Sequence, residues 1–350
     1  MDDFYLSGRG AQINPVNRFV RARYVTDFPE GLDEPDRHKP ATQVFEEQAR
    51  TIVNHVASPD LGMTYSLNPY QGCEHGCIYC YARNTHEYYG FNAGLDFESK
   101  IIVKLNAPRL LEKHLYSPSW RVAPISLSGN TDCYQPLERT YRLTRAVLII
   151  LAYHRHPVSI ITKNSLILRD LDVLQDMAAQ RLVHVYISVT TLDEELRSKM
   201  EPRTASAAKR LQTIRALAEK NIPTGVMCAP MIPGLNHHEV PAILKAAREA
   251  GAVGAGMQVV RLNGSIGSVF EDWLRRNFPE RFHKVWNQIC ALHGGTVNDS
   301  QFGRRLRGTG AQADSMEQLF RAARRKYFEG CDFPPYDLTR FQRTGTLSLF

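Results

Sequence analysis

The sequence lacks any long apolar run. Its longest, Ala146 to Tyr153, falls well short of the ~20 residues that a bilayer-spanning helix needs, so no membrane association is expected. Met1-Asp2-Asp3-Phe4 carries no basic stretch followed by an apolar one, so no secretory signal is expected either. No P-loop is present, no GxGxxG follows a strand, and no HExxH pairs the histidines. His154, His156 and the His237-His238 pair merely end or open helices. Cysteine is sparse, with seven in 350 residues, and clustered free thiols without a secretory signal point to a reducing compartment. The cytoplasm is therefore the expected location. At 43% hydrophobic and 23% charged, the composition is that of a soluble globular enzyme, long enough for one large α/β barrel or two smaller domains.

What is present is concentrated in Cys73-Glu74-His75-Gly76-Cys77-Ile78-Tyr79-Cys80, a CxxxCxxC array. Thiolates this close repel one another unless a metal or a disulfide takes up their charge, and an odd number cannot all pair. Soft thiolates select zinc, Cu(I) or iron–sulfur clusters. Structural zinc uses four closed ligands, commonly from two separated CxxC pairs, and a cubane cluster is normally held by four cysteines. Here no fourth cysteine stands at matching spacing, which would leave one iron open. His75, set between two of the cysteines, is discounted as that ligand because its position implies strain.

With Tyr79 before the last cysteine, Asn68-Pro69-Tyr70-Gln71-Gly72 ahead and Tyr81-Ala82-Arg83 behind, the array resembles the radical SAM superfamily, in the branch related to spore photoproduct lyase. The resemblance implies that Cys73, Cys77 and Cys80 hold a 4Fe-4S cluster whose open iron chelates S-adenosyl-L-methionine. An electron would then cleave a carbon–sulfur bond to give a 5′-deoxyadenosyl radical that abstracts hydrogen from a substrate. A flavodoxin- or ferredoxin-like reductant is implied as a partner. The resemblance also assigns Ser128, Asn130, Thr131 and Asp132 to the methionine amino group, and Lys163, Ser188 and Arg203 to the carboxylate and ribose. Glu201 is expected on the ribose hydroxyls or orienting Arg203, and Tyr79 against the adenine. Cys133, on the same rim by position only, is the expected hydrogen-atom donor; a structural thiol is its alternative.

From Met63 short apolar strands alternate with amphipathic helices. Strands are expected at Thr64–Asn68, Ala123–Ser128, Val158–Thr162, Val183–Val189, Thr224–Ala229 and Met257–Leu262, with another at Lys100–Leu105. Helices are expected at Ala107–Leu115, Leu137–Arg155, Leu166–Gln180, Ser206–Lys220 and His238–Ala250, and over Phe270–His293 with a break at Pro279. Repeated βα units require a parallel sheet with right-handed crossovers. The fold class expected is α/β, a partial TIM barrel, open and of six units; a doubly wound sheet is the alternative. Residues 1–60 form an N-terminal arm, with a short helix at Ala41–Arg50 and arginines 9, 18, 21 and 23 either solvating it or meeting an anion. Residues 61–265 form the core barrel and 266–350 a helical, basic C-terminal extension.

The net charge is +7, and residues 301–330 carry seven cations against three anions. That stripe could follow a nucleic-acid backbone or simply solvate a helix face. Three functions follow: radical chemistry on nucleic acid, radical chemistry on a protein or small molecule, or a non-catalytic zinc or iron–sulfur module.

Overall fold

The computed structural model describes residues 5–19 and 41–343. Arg21, Arg23 and the tail Leu347-Ser348-Leu349-Phe350 lie outside the described residues. The strands are β1 (Gln43–Glu47), β2 (Val53–His55), β3 (Tyr65–Leu67), β4 (Tyr70–Gln71), β5 (Lys100–Lys104), β6 (Ile125–Leu127), β7 (Val158–Thr162), β8 (Val183–Ser188), β9 (Thr224–Met231) and β10 (Gly254–Val259).

The main sheet runs β10-β9-β8-β7-β6-β3-β2. Each pair from β3 through β10 is parallel, and β2 closes one edge antiparallel. Every parallel strand lies beside the next parallel strand in the chain. A doubly wound sheet would reverse direction at a switch point, and no reversal occurs here. Among the described residues, the six parallel strands of the main sheet therefore form the open six-unit array expected, with no closed barrel. Val158 and Ile160 in β7, and Val183, Val185 and Ile187 in β8, are buried among helix residues such as Val147, Leu174 and Ile214. β-branched residues on pleated strands carry that packing.

Several expectations are corrected. The helix foreseen at Ala41–Arg50 is strand β1, paired parallel with β5; with antiparallel β4 they make a separate three-stranded sheet. β2 belongs to the main sheet, so the arm gives way to sheet before residue 60. The helix foreseen over Leu137–Arg155 divides into Glu138–Tyr141 and Leu143–Tyr153 at Arg142, whose φ is 51°. The second piece is capped by the Glu138 carboxylate, which accepts from Thr144 N at 3.0 Å. β10 begins three residues earlier than foreseen, at Gly254, where a Cβ would lie 2.6 Å from the Phe333 ring. Helices that the sequence reading did not delimit include Leu95–Ser99, Glu194–Met200, capped by Asp193, and, within the helical extension, Ala311–Phe328. The break near Pro279 is present, between helices Ile266–Asn277 and Phe282–Leu292. Those two helices bury Phe270, Trp273 and Ile289 against Cys77, Ile78 and Tyr79, so the C-terminal extension backs the cysteine loop.

Candidate active site

β3 ends at Leu67, and the chain turns through β4 into the cysteine loop at the carboxyl end of the sheet. Backbone bonds pin the loop from several sides: Cys73 N to Phe97 O at 2.9 Å, Ile78 N to Met200 O at 3.0 Å, and Arg203 N to His75 O at 3.3 Å. Gly76 has φ +68°, and a Cβ there would sit 2.8 Å from Glu98 Oε2, so only glycine suits the CxxxC turn. Arg83 and Glu98, both fully buried, form an ion pair at 2.5 Å. Arg83 Nε also donates to Cys77 O at 3.0 Å. The same Glu98 carboxylate accepts from Gly10 N at 2.9 Å and Ala11 N at 2.8 Å. Arg9, expected on a solvated arm, is instead buried, with its guanidinium bonded to Glu98 O. The arm is thus a clamp on the cysteine loop.

Cys73, Cys77 and Cys80 line a cavity of about 270 Å³. Tyr79, Ser128, Asn130, Thr131, Asp132, Lys163 and Ser188 line it as well, so most of the expected site residues are brought together. Burial pushes the Cys73 thiol well up, Cys77 up to about 12, and raises Cys80. Asp132 is saturated: its carboxylate accepts from Thr162 Oγ1 at 2.7 Å and Lys163 N at 2.9 Å, and faces His75 Nδ1 at 3.3 Å. Burial raises its carboxyl, but His75 and those donors outweigh it and hold Asp132 at about 2. The other His75 nitrogen meets Asn164 Nδ2 at 3.1 Å, so both ring nitrogens are engaged inside the protein. Burial lowers the Lys163 ammonium, and Cys77 and Glu201 more than offset it, so it is held above its ordinary value. Its Nζ lies 5.8 Å from the Tyr79 ring centroid.

Three expected residues stand elsewhere. Glu201 does not line the cavity; it is fully buried behind Tyr79. It accepts from the Tyr79 hydroxyl, from Thr190 Oγ1 at 2.8 Å, and from Arg210 rather than Arg203. Burial raises its carboxyl, and Arg210 and Lys163 bring it down to about 2. Arg203 also stands back from the cavity and pairs with Glu74 at 3.2 Å. Glu74 in turn accepts from Leu137 N at 3.0 Å, so Arg203 braces the cysteine loop through it. Cys133 is fully buried in the main core and does not line the cavity, because its strand-end turn folds inward, with Cys133 N donating to Ser128 Oγ at 2.8 Å.

The arm clamp and Arg210 were not foreseen as site residues; of the cavity arginines, Arg261 follows the sixth strand and Arg305 belongs to the basic stripe. The position of Arg83 directly after the cysteines, and the glycines at 10 and 76, were the only signals of the clamp in the sequence. Of the expected basic stripe, Arg304, Arg305, Arg321 and Arg324 pair with Asp299, Asp60, Glu317 and Asp332.

The donor set fits a cluster better than a single ion. Among the described residues, no three His, Cys, Asp or Glu side chains converge on one metal-ion position. Three cysteines nevertheless line the same cavity, as thiolates on separate irons of a cluster would. Lys163 places a cation beside the negative charge that metal-bound thiolates bring.

A sequence model of the Radical SAM superfamily matches residues 67–247, and the chain belongs to that superfamily. It is 38% identical over 222 residues to an uncharacterised protein of Mycobacterium tuberculosis, covering 63% of this chain and 65% of that one. It is 28% identical over 249 residues to an uncharacterised protein of Methanocaldococcus jannaschii, covering 71% of this chain and 88% of that one. Its fold is similar to that of spore photoproduct lyase complexed with dinucleoside spore photoproduct, with a TM-score of 0.61 at 16% identity over 88% of this chain and 86% of that one. A mutant of that lyase with bound AdoMet and dinucleoside spore photoproduct gives the same TM-score at 17% identity. No helix among the described residues is long and apolar enough to cross a membrane.

Proposed function

We propose that the protein is a radical SAM enzyme in which Cys73, Cys77 and Cys80 hold a 4Fe-4S cluster and the adjoining cavity takes S-adenosyl-L-methionine. One observation carries this reading: three cysteines, a cation and a saturated carboxylate share a single cavity at the carboxyl ends of a parallel sheet, where such folds place their chemistry. When bound and reduced, the cluster supplies the electron that cleaves a carbon–sulfur bond of the cosubstrate and releases a 5′-deoxyadenosyl radical. The protein's own groups position the reactants. Lys163 offers its ammonium to the cosubstrate carboxylate, and Ser188 offers a hydroxyl beside it. The turn from Ser128 to Asp132 presents oxygens to an ammonium. Tyr79, fixed by Glu201 and Arg210, supports the adenine. Arg203 and Glu201 act at one remove, holding the cysteine loop and Tyr79.

A flavodoxin- or ferredoxin-like donor would supply the electron, and a cytoplasmic setting would keep the thiols reduced. A nucleic-acid substrate is favoured over a protein or small molecule because the similarly folded lyase is seen complexed with dinucleoside spore photoproduct. The decisive test is anaerobic reconstitution with iron and sulfide, reduction with S-adenosyl-L-methionine present, and chromatography for 5′-deoxyadenosine. The product is expected from the native chain and absent from Cys77→Ala. A full cluster that gives no product would sink the reading and leave a non-catalytic metal module.

A further inference from the structure

Besides Lys163, the cavity is lined by two arginines, Arg261 and Arg305. Arg305 is rigidly built in: its guanidinium meets Asp60 at 2.6 and 2.8 Å and Ser58 Oγ at 2.6 Å, and its side chain is 12% exposed. Val259 N donates to Leu306 O at 3.0 Å, which ties the Arg305 loop to the end of β10. Asp60 lies in the turn between β2 and β3. Strands β10 and β2 are the two edges of the main sheet. The Arg305–Asp60 pair therefore clasps one edge to the other across the side that an open barrel leaves unclosed.

Arg261, just past β10, lines the same cavity but has a different electrostatic situation. No carboxylate pairs with it among the described residues, whereas Arg305 has Asp60. Burial and then the neighbouring Arg305 lower its pKa, against Tyr81 and Asp60, which raise it. Among the described residues, the only acid lining the cavity, Asp132, is already taken up by His75, Thr162 and Lys163 N. A half-buried guanidinium next to a second one, without an acid of its own, creates a positive potential that an incoming anion relieves. Its planar fork suits the oxygens of a phosphate. Leu61, Met63, Val259 and Leu306 line the same cavity, and apolar lining suits an organic moiety attached to that phosphate.

We propose that Arg261, held in place beside the Arg305–Asp60 clasp, binds a phosphate ester group of the substrate. The term substrate rests on the radical SAM reading; the anion site itself does not. Two sources share this chemistry, the phosphodiester of a nucleic-acid strand and a free phosphorylated metabolite such as a mononucleotide.

The test is fluorescence anisotropy of the reconstituted full chain with a labelled single-stranded DNA oligonucleotide, competed by thymidine monophosphate, across salt from about 50 to 200 mM. Arg261→Gln is expected to weaken binding about tenfold and to reduce the slope of log affinity against log salt by about 1. Arg261→Lys should lose less and keep the slope, because charge is retained without the fork. Competition by oligonucleotide alone identifies a strand, and equal competition by the mononucleotide identifies a small phosphate ester; both support the site. The proposal is overturned if neither ligand binds the native chain. It is also overturned if Arg261→Gln and Arg261→Lys, with native unfolding midpoints, bind with unchanged affinity and slope. Deoxyadenosine formation by the native chain, measured in parallel, reports separately on the radical SAM reading.

Discussion

The two ends of the parallel strands solve opposite problems. At the carboxyl ends lies a cavity with Lys163 and Arg261, two cations without a bonded carboxylate among the described residues. At the amino ends there is a plug. Residues 333–343 run across β7, β8, β9 and β10: Tyr336 stacks on His184 with centroids 3.9 Å apart, and its hydroxyl donates to Val158 O at 3.2 Å. The Phe333 ring fills the space that Gly225 and Gly254 leave, where Cβ atoms would lie 2.9 and 2.6 Å away. One end is filled by the chain's own side chains; the other holds charge in reserve for ligands. In βα architectures this division separates stability from chemistry, and each end can be broken without the other.

The largest effect is expected where stability and site meet. Glu98 is a fully buried carboxylate shared by Arg83 and by the backbone of Gly10 and Ala11. Glu98→Ala leaves the Arg83 cation buried without its acid, a loss of about 3–5 kcal/mol. The arm and the Cys77 turn lose their common anchor together. Chemical denaturation should show the loss, and iron bound per chain after reconstitution should fall with it. A variant with the native midpoint and full iron would show that the arm is not a clamp.

At the other end, Phe333→Ala vacates the space beside Gly225 and Gly254. The ring is only half-buried, so about 2 kcal/mol is expected, below the range for a fully buried phenylalanine. Deoxyadenosine formation should remain at the native rate, since no residue of the plug lines the cavity. A fall in product formation at unchanged stability would mean that the ends are coupled through the strands.

How much of this was readable in the residues depends on whether the cause is local. β7 and β8 announce themselves through runs such as Val158-Ser159-Ile160-Ile161-Thr162, and the cysteine array carries its chemistry in its spacing. β10 was displaced in the reading because Gly254 and Gly256 are poor strand formers, and Gly254 exists to admit a ring nearly eighty positions later. The clamp was hidden for the same reason: Glu98, Arg83 and Gly10 have meaning only once folded together. Cys133 misled by position, since a strand end says which rim a residue is near but not whether its side chain turns to the cavity or the core. In the basic stripe, a count of arginines says nothing of the carboxylates that four of them meet.

The amino end also carries a pH dependence of its own. His156 is fully buried; Trp120 Nε1 donates to its Nε2 at 3.2 Å, and its Nδ1 faces Pro157 O at 2.9 Å. Burial, with His114 and His154 adding to it against the Pro157 carbonyl, lowers this imidazole from 6.5 to about 3. The folded state must keep it neutral, since a proton on Nε2 would displace the Trp120 bond, while the unfolded chain takes up a proton near 6.5. Stability from this group is therefore complete above pH 6.5 and is lost as pH falls toward 3. The loss reaches about 1.4 kcal/mol by pH 5.5. The corresponding losses for Asp132 and Glu201, both held near 2, begin only below about pH 4.5. His156→Gln keeps an acceptor for Trp120 and a donor for Pro157 but cannot titrate. Denaturation midpoints from pH 7 to pH 5 should decline less steeply in this variant than in the native chain. Parallel declines would assign the acid sensitivity to other groups and remove His156 from the comparison.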